Sequence, residues 1–248
     1  MANIIKNIQF VSDIHLEFMT KIPMNLIIPS SKNLALLGDI GNPFSDIYEV
    51  FIHDVSCKFD NVFIIAGNHE YYMNDIIDTQ KKIMEIEDLY YNVHFLDNKV
   101  YDFDNVRILG TTLWTKINKN ASNLINDFRA IKYNGKKFQQ RDMLKMHFDS
   151  LQLITQEMKN HKPLLILSHH APHFKMNGIH EGNEAETAFA TNLTSFIKSP
   201  IIGWLSGHTH QNIQMEINDI PLKSNCYGYN DQERYDYKNN MIFEIKNE

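Results

Sequence analysis

Short, largely apolar runs punctuate this chain at 8–11, 34–37, 62–66, 164–167 and 201–205, and each ends abruptly in polar residues. Runs of that length read as buried strands. Between them the spacing becomes helical. Ile47, Val50, Phe51 and Val55 predict a helix over 45–59, opened by Ser45 as an N-cap. Ile76, Ile77, Ile83, Met84 and Ile86 predict another over 74–89. Leu144, Phe148, Leu151 and Ile154 predict a long helix over 138–160, and 185–198 reads as a fourth. Strands are expected at 93–96, 99–103 and 106–110, with hairpin-like turns at Asp97-Asn98 and Asp104-Asn105. The tail alternates strands at 212–217, 221–225 and 241–245. The stretch 115–137 is polar and weakly periodic, and loops of that length are uncommon and often functional. Strand–helix alternation with late antiparallel strands predicts an α/β fold of two mixed sheets packed face to face with helices outside. No repeat or linker divides the chain, so residues 1–248 are expected to form a single domain.

The polar residues that follow the five runs are of one chemical kind. They read Asp13-Ile14-His15, Gly38-Asp39, Gly67-Asn68-His69-Glu70, Ser168-His169 and Gly207-His208-Thr209-His210. Taken singly each is weak, since a lone Gly-Asp is usually a turn and Asn68-His69 alone reads as loop. His208 and His210, two apart, would share one face of a strand. What chance does not explain is all five, each at the carboxyl end of an apolar run, where open α/β sheets hold their ligands.

Composition narrows the partners. A length of 248 residues suits one α/β unit with a large core. A formal charge of −6 disfavours an extended nucleic-acid-binding face. Bound cations would still make the site locally attractive to an anion. The short basic stretch at Lys132, Lys136 and Lys137 reads as a solvated face. Cys57 and Cys226 match no metal or redox spacing. The N-terminus shows no signal-peptide pattern and no apolar stretch approaches about 18 residues, so a cytoplasmic protein without a membrane partner is expected.

The five motifs, in this order, resemble those of the calcineurin-like metallophosphoesterase superfamily. The resemblance implies a four-layer α/β/β/α sandwich and two divalent metal ions, such as Mn, Fe or Zn. It assigns Asp13, His15 and His210 to one ion, Asn68, His169 and His208 to the other, and Asp39 to the bridge between them. Two metals about 3.5–4 Å apart can generate hydroxide from water and clamp a phosphate ester. Mixed imidazole, carboxylate and amide donors suit such metals better than Ca. The resemblance makes His69 the catalytic side chain, placed to assist the leaving group, and Glu70 is expected to organise its loop. His170 and Arg129 are candidate substrate contacts. His173 and His180 read as solvated loop residues, and Tyr71 and Tyr72 as packing beside the site.

A narrower similarity extends to Asp13-Ile14-His15-Leu16-Glu17-Phe18, Gly67-Asn68-His69-Glu70-Tyr71-Tyr72, Gly110-Thr111-Thr112-Leu113-Trp114 and Ser168-His169-His170-Ala171-Pro172. These resemble a group of small single-domain members that commonly carry Asn-Pro-Arg-Gly-Tyr near the C-terminus. Here that segment is Asn225-Cys226-Tyr227-Gly228-Tyr229, without the Pro or the Arg. The Ser/Thr phosphatase branch matches less well, since Ile40-Gly41-Asn42-Pro43 follows Gly38-Asp39. The expected activity is hydrolysis of a small phosphate ester, with a slight preference for diesters such as cyclic nucleotides. The alternative is a phosphomonoesterase on the same site. The rival of another class, a non-catalytic interaction module, predicts eroded ligands or a lost His69, and the sequence retains both.

Overall fold

Each apolar run folds as a strand, because both of its alternating sets of side chains find cover. In the computed structural model, which describes residues 3–229 and 236–246, β1 (Asn7–Val11), β2 (Asn33–Leu37) and β3 (Asn61–Ile65) run parallel. β4 (Val93–Phe95) continues this sheet beyond β3, and β13 (Ile242–Glu244) closes its other edge antiparallel to β1. The second sheet has the order β11 (Gln214–Ile217), β12 (Ile220–Ser224), β10 (Ile201–Ser206), β9 (Leu164–Ser168), β6 (Arg107–Thr111) and β5 (Lys99–Asp102). Its four central strands are parallel and its two edge strands antiparallel.

Alternation along the strands explains the layering. Ala35, Leu37, Phe63 and Ile65 face Leu165, Leu167 and Leu205 between the sheets. Their neighbours Leu34, Leu36, Val62 and Ile64 face outward. There they meet Tyr48, Phe51, Ile52 and Val55 of α1 (Asp46–Ser56) and Ile76, Ile83 and Ile86 of α2 (Ile76–Glu87). On the far side Leu164, Ile166 and Trp204 pack with Ile154 of α5 (Gln140–Glu157). The result is the four-layer α/β/β/α sandwich of two mixed sheets. Truncating one of these fully buried side chains, such as Ile64→Ala, would cost about 2–5 kcal/mol.

Several expectations are corrected. β4 and β5 belong to different sheets, so Asp97-Asn98 carries the chain across the sandwich and closes no hairpin. Asp104-Asn105 does join antiparallel neighbours, β5 and β6. Ser45 precedes α1, but its hydroxyl donates to the Asn42 carbonyl and does not cap the helix. The helix expected over 185–198 is reduced to α6 (Glu186–Phe189). Beyond it the Asn192 amide oxygen accepts from the backbone N–H and the hydroxyl of Thr194, a local turn that competes with helix. The stretch 115–137 holds α3 (Lys119–Leu124), α4 (Asp127–Ala130) and the hairpin β7 (Lys132–Tyr133) to β8 (Lys136–Lys137). Cys57 and Cys226 are unpaired thiols. Among the described residues no helix is long and apolar enough to cross a membrane.

Candidate active site

The five motifs stand just past the carboxyl ends of β1, β2, β3, β9 and β10, and parallel pairing brings these ends to one place. Five residues of the expected ligand set leave their strands through left-handed backbone: Asp13 (φ 54°), His15 (54°), Asp39 (52°), His208 (69°) and His210 (52°). Non-glycine residues held there cost about 1–3 kcal/mol each, and persist where the surroundings over-determine them. His208 and His210 therefore do not share a strand face. β10 ends at Ser206, the Gly207 N–H turns to the His169 carbonyl, and the two imidazoles separate into different groups.

In one group His210 Nε2 lies 3.1 Å from His15 Nε2 and 3.5 Å from Asp13 Oδ1. In the other, His169 Nε2 lies 3.0 Å from Asn68 Oδ1 and 3.1 Å from His208 Nδ1. Asp39 stands between them, with Oδ1 3.4 Å from His169 Nε2 and Oδ2 3.9 Å from His15 Nε2. All seven side chains come together.

The second group shows that these residues fit a cation. His169 Nδ1 lies 2.9 Å from the Leu37 carbonyl and must donate to it, which leaves the lone pair on Nε2. The Asn68 amide nitrogen donates to Asp127 Oδ1 at 2.9 Å, which turns Oδ1 toward His169. Two acceptors thus face each other at 3.0 Å, and a proton or a metal ion must sit between them. Burial alone would lower the His169 pKa, but the Asp39 charge raises it to about 9, so a proton takes that place when no metal does. Burial pushes the Asp13 carboxyl up, yet the bond to His210 together with the charges of His210 and His169 holds Asp13 below the usual carboxylate range. Asp39 is likewise held low, by His169 against its burial.

Close backbone approach makes the cluster possible. A Cβ on Gly67 would lie 2.2 Å from Asp39 Oδ1 and 2.7 Å from His169 Cε1. The fully buried Glu70 carboxylate, expected to organise the loop, accepts from the backbone N–H groups of Asp39, Ile40 and Gly67 at 2.9, 2.7 and 2.7 Å. Burial first, then the Asp39 charge, pushes its pKa to about 7.

His69 stands above this cluster. Its backbone N–H donates to Asp39 Oδ1 at 2.8 Å, and its ring stacks on Tyr72 with centroids 4.2 Å apart. Nδ1 lies 3.0 Å from Glu17 Oε1 and Nε2 lies 3.3 Å from the Tyr229 hydroxyl. Burial would lower the His69 pKa, but Asp39 and then Glu17 raise it to about 9. A cleft of about 380 Å³ opens over Asp39, Asn68, His69 and His208, walled by Leu124, Ile125, Ile179 and Phe189.

Arg129 and His170 do not line this cleft. The Arg129 guanidinium turns back to the Asn123 carbonyl at 3.1 Å. His170 is buried behind His208, with ring centroids 4.2 Å apart, and burial followed by the charge of His169 pushes its pKa to about 3. His180, expected in solvent, lines the cleft and stacks on Phe189 at 4.5 Å, whereas His173 does not line it. Glu17, Asp127 and Tyr229 hold or flank the cluster; sequence reasoning gave Glu17 and Tyr229 no role, and Asp127, in a segment expected to reach substrate, instead accepts from the Asn68 amide. Asp127 lies 59 positions from Asn68, beyond the reach of any local pattern.

Several known proteins are similar to this chain. An uncharacterized protein of Acanthamoeba polyphaga mimivirus is 34% identical, over 90% of this chain and 91% of its own length. A solved phosphopantetheinyl hydrolase from Mycobacterium tuberculosis superposes with a TM-score of 0.72 over 96% of this chain and 95% of its own, at 14% identity, which is a likeness of fold. A dimetal phosphatase from Danio rerio covers 89% of this chain and 87% of its own, with a TM-score of 0.48 and 14% identity. The sequence pattern of calcineurin-like phosphoesterases matches residues 6–212, a span that begins before β1 and ends after His210. With all five motifs inside that span, the chain belongs to the calcineurin-like phosphoesterases, metal-dependent hydrolases of phosphate esters.

Proposed function

We propose that this protein hydrolyses small phosphodiesters, such as cyclic nucleotides, at a dinuclear metal centre. Asp13, His15 and His210 would hold one ion and Asn68, His169 and His208 the other, with Asp39 placed between the two groups. When bound, the ions supply a nucleophile from water and neutralise the phosphoryl oxygens. The residues around them orient the ester and manage the proton. Asn68 is fixed by Asp127, so its amide cannot rotate away from the cluster. His69 presents Nε2 to the cleft, where it donates a proton to the departing oxygen, a role worth about 10²–10⁴-fold.

The diester preference rests on what lines the cleft. Among its described lining residues there is no lysine or arginine, whereas Leu124, Ile125, Ile179 and Phe189 form an apolar wall. A monoester carries two negative charges and gains from cations beyond the metals. A diester carries one and has a second organic group to cover. The test is to compare kcat/KM for bis-nitrophenyl phosphate and nitrophenyl phosphate with Mn²⁺ near neutral pH. The diester should be at least equal. A monoester preference of about a hundredfold, roughly 2.7 kcal/mol, would overturn the preference and favour a phosphomonoesterase.

A further inference from the structure

One carboxylate oxygen in this site serves two imidazoles. Glu17 Oε1 lies 3.0 Å from His15 Nδ1 and 3.0 Å from His69 Nδ1. The two rings meet edge to face, with centroids 4.5 Å apart. We propose that Glu17 is a positioning residue that holds a proton on Nδ1 of both His15 and His69, and so ties a metal-ligating imidazole to the leaving-group imidazole.

The sequence produces this contact locally. His15 leaves β1 with φ 54°, and Leu16–Phe18 then make one turn of 3-10 helix anchored by the fully buried Leu16. That turn folds Glu17 back beside the ring two residues earlier. His69 arrives from the loop after β3, brought down by its own backbone bond to Asp39. An ionised carboxylate only accepts, so each Nδ1 at 3.0 Å must donate. The lone pair of His15 then sits on Nε2, facing His210 Nε2 and Asp39 Oδ2, where a ligand atom is required. The Nε2 of His69 is left to face the cleft and the Tyr229 hydroxyl. Glu17 Oε2 is buried with no hydrogen-bond partner among the described groups, so the carboxylate is oriented by these two rings. Carboxylates that orient metal-bound histidines typically matter by about 10–100-fold in affinity or activity. Here one carboxylate acts on two histidines, only one of which is a ligand.

The kinetic consequence rests on the phosphoesterase reading; the placement of the two Nδ1 protons does not. The first measurement is a long-range ¹H–¹⁵N spectrum of the zinc-loaded, histidine-labelled protein. His15 and His69 should both carry a proton on Nδ1. In Glu17→Ala the His69 Nδ1–H signal should be lost to exchange with water, while that of His169, held by the Leu37 carbonyl, should persist. The second measurement is kcat for Glu17→Ala, expected to fall about 10–100-fold for esters with alkoxide leaving groups and less for nitrophenyl esters. Glu17→Gln keeps an acceptor oxygen and should restore most of the loss. A wild-type His15 or His69 bare of its Nδ1 proton, as a cation bound between Glu17 and the two rings would leave it, overturns the proposal. So does an equal loss across leaving groups that Glu17→Gln fails to rescue. If the wild-type protein cleaves no ester, the function reading fails and the spectrum alone decides the role of Glu17.

Discussion

Gly67→Ala isolates the close approach on which the metal cluster depends. Gly67 does not occupy the left-handed region, so alanine adds no backbone strain there and the effect is purely steric. The new methyl would lie 2.2 Å from Asp39 Oδ1, 2.6 Å from the Asp39 backbone N and 2.7 Å from His169 Cε1. Ordinary contact begins at 3.4 Å, so Asp39 Oδ1 must retreat by 1.2 Å (3.4 less 2.2). That carboxylate stands between the two ligand groups and also accepts the His69 N–H, so all three shift together. Overpacking of this kind costs about 1–3 kcal/mol. At about 2–4 °C per kcal/mol for a chain of this size, the metal-free protein should melt about 2–12 °C lower. A misplacement of about 1 Å costs on the order of 10²-fold in rate, and kcat should fall by at least that much. Calorimetry in chelator, Mn²⁺ titration and steady-state kinetics would follow the three effects. Gly135→Ala is the control: nothing lies within 4 Å of its Cβ, and although its φ of 72° adds strain, it touches no ligand. A Gly67→Ala protein that binds Mn²⁺ as tightly as wild type, and whose kcat stays within about threefold of it, would refute the steric argument.

Other substitutions separate the remaining roles. Asp39→Asn should abolish turnover and lower metal occupancy at both positions, because a neutral amide bridges two cations poorly; elemental analysis showing two metals in an active variant would contradict the bridge. His69→Ala should keep its metals and lose about 10²–10⁴-fold in kcat, with a smaller loss for nitrophenolate leaving groups. Asp127→Ala releases the Asn68 amide and should weaken binding of one of two metal equivalents by about 10–100-fold, read by isothermal titration.

The strands and the metal cluster were legible in the sequence for a common reason. Runs buried on both faces show as continuous apolar residues, and the polar residue after each run must lie at a strand end. That rule gathers the candidate ligands at one end of the sheets, while their division between two ions came from the family resemblance. The rule does not reach side chains whose position depends on loop conformation. His208 and His210 looked like strand neighbours because a left-handed φ leaves no mark on residue identity. Asp127 sits in a stretch whose two short helices are set by tertiary contacts, so its bond to Asn68 could not be anticipated. Glu17 was visible two residues past His15, but its second partner comes from a different strand end. Arg129 was judged by its charge and its place in a long polar stretch, and a backbone carbonyl takes up its guanidinium instead.

The central claim is that this cluster holds two metal ions and uses both to hydrolyse a phosphate ester. The direct measurement is to strip the protein of metal and follow hydrolysis of bis-nitrophenyl phosphate while Mn²⁺ is added in known equivalents, with bound metal measured in parallel. Binding and activity should both saturate at two ions per chain, with little turnover at the first. Saturation of binding at one ion, or two bound ions without turnover of any ester in a panel of diesters and monoesters, would contradict it.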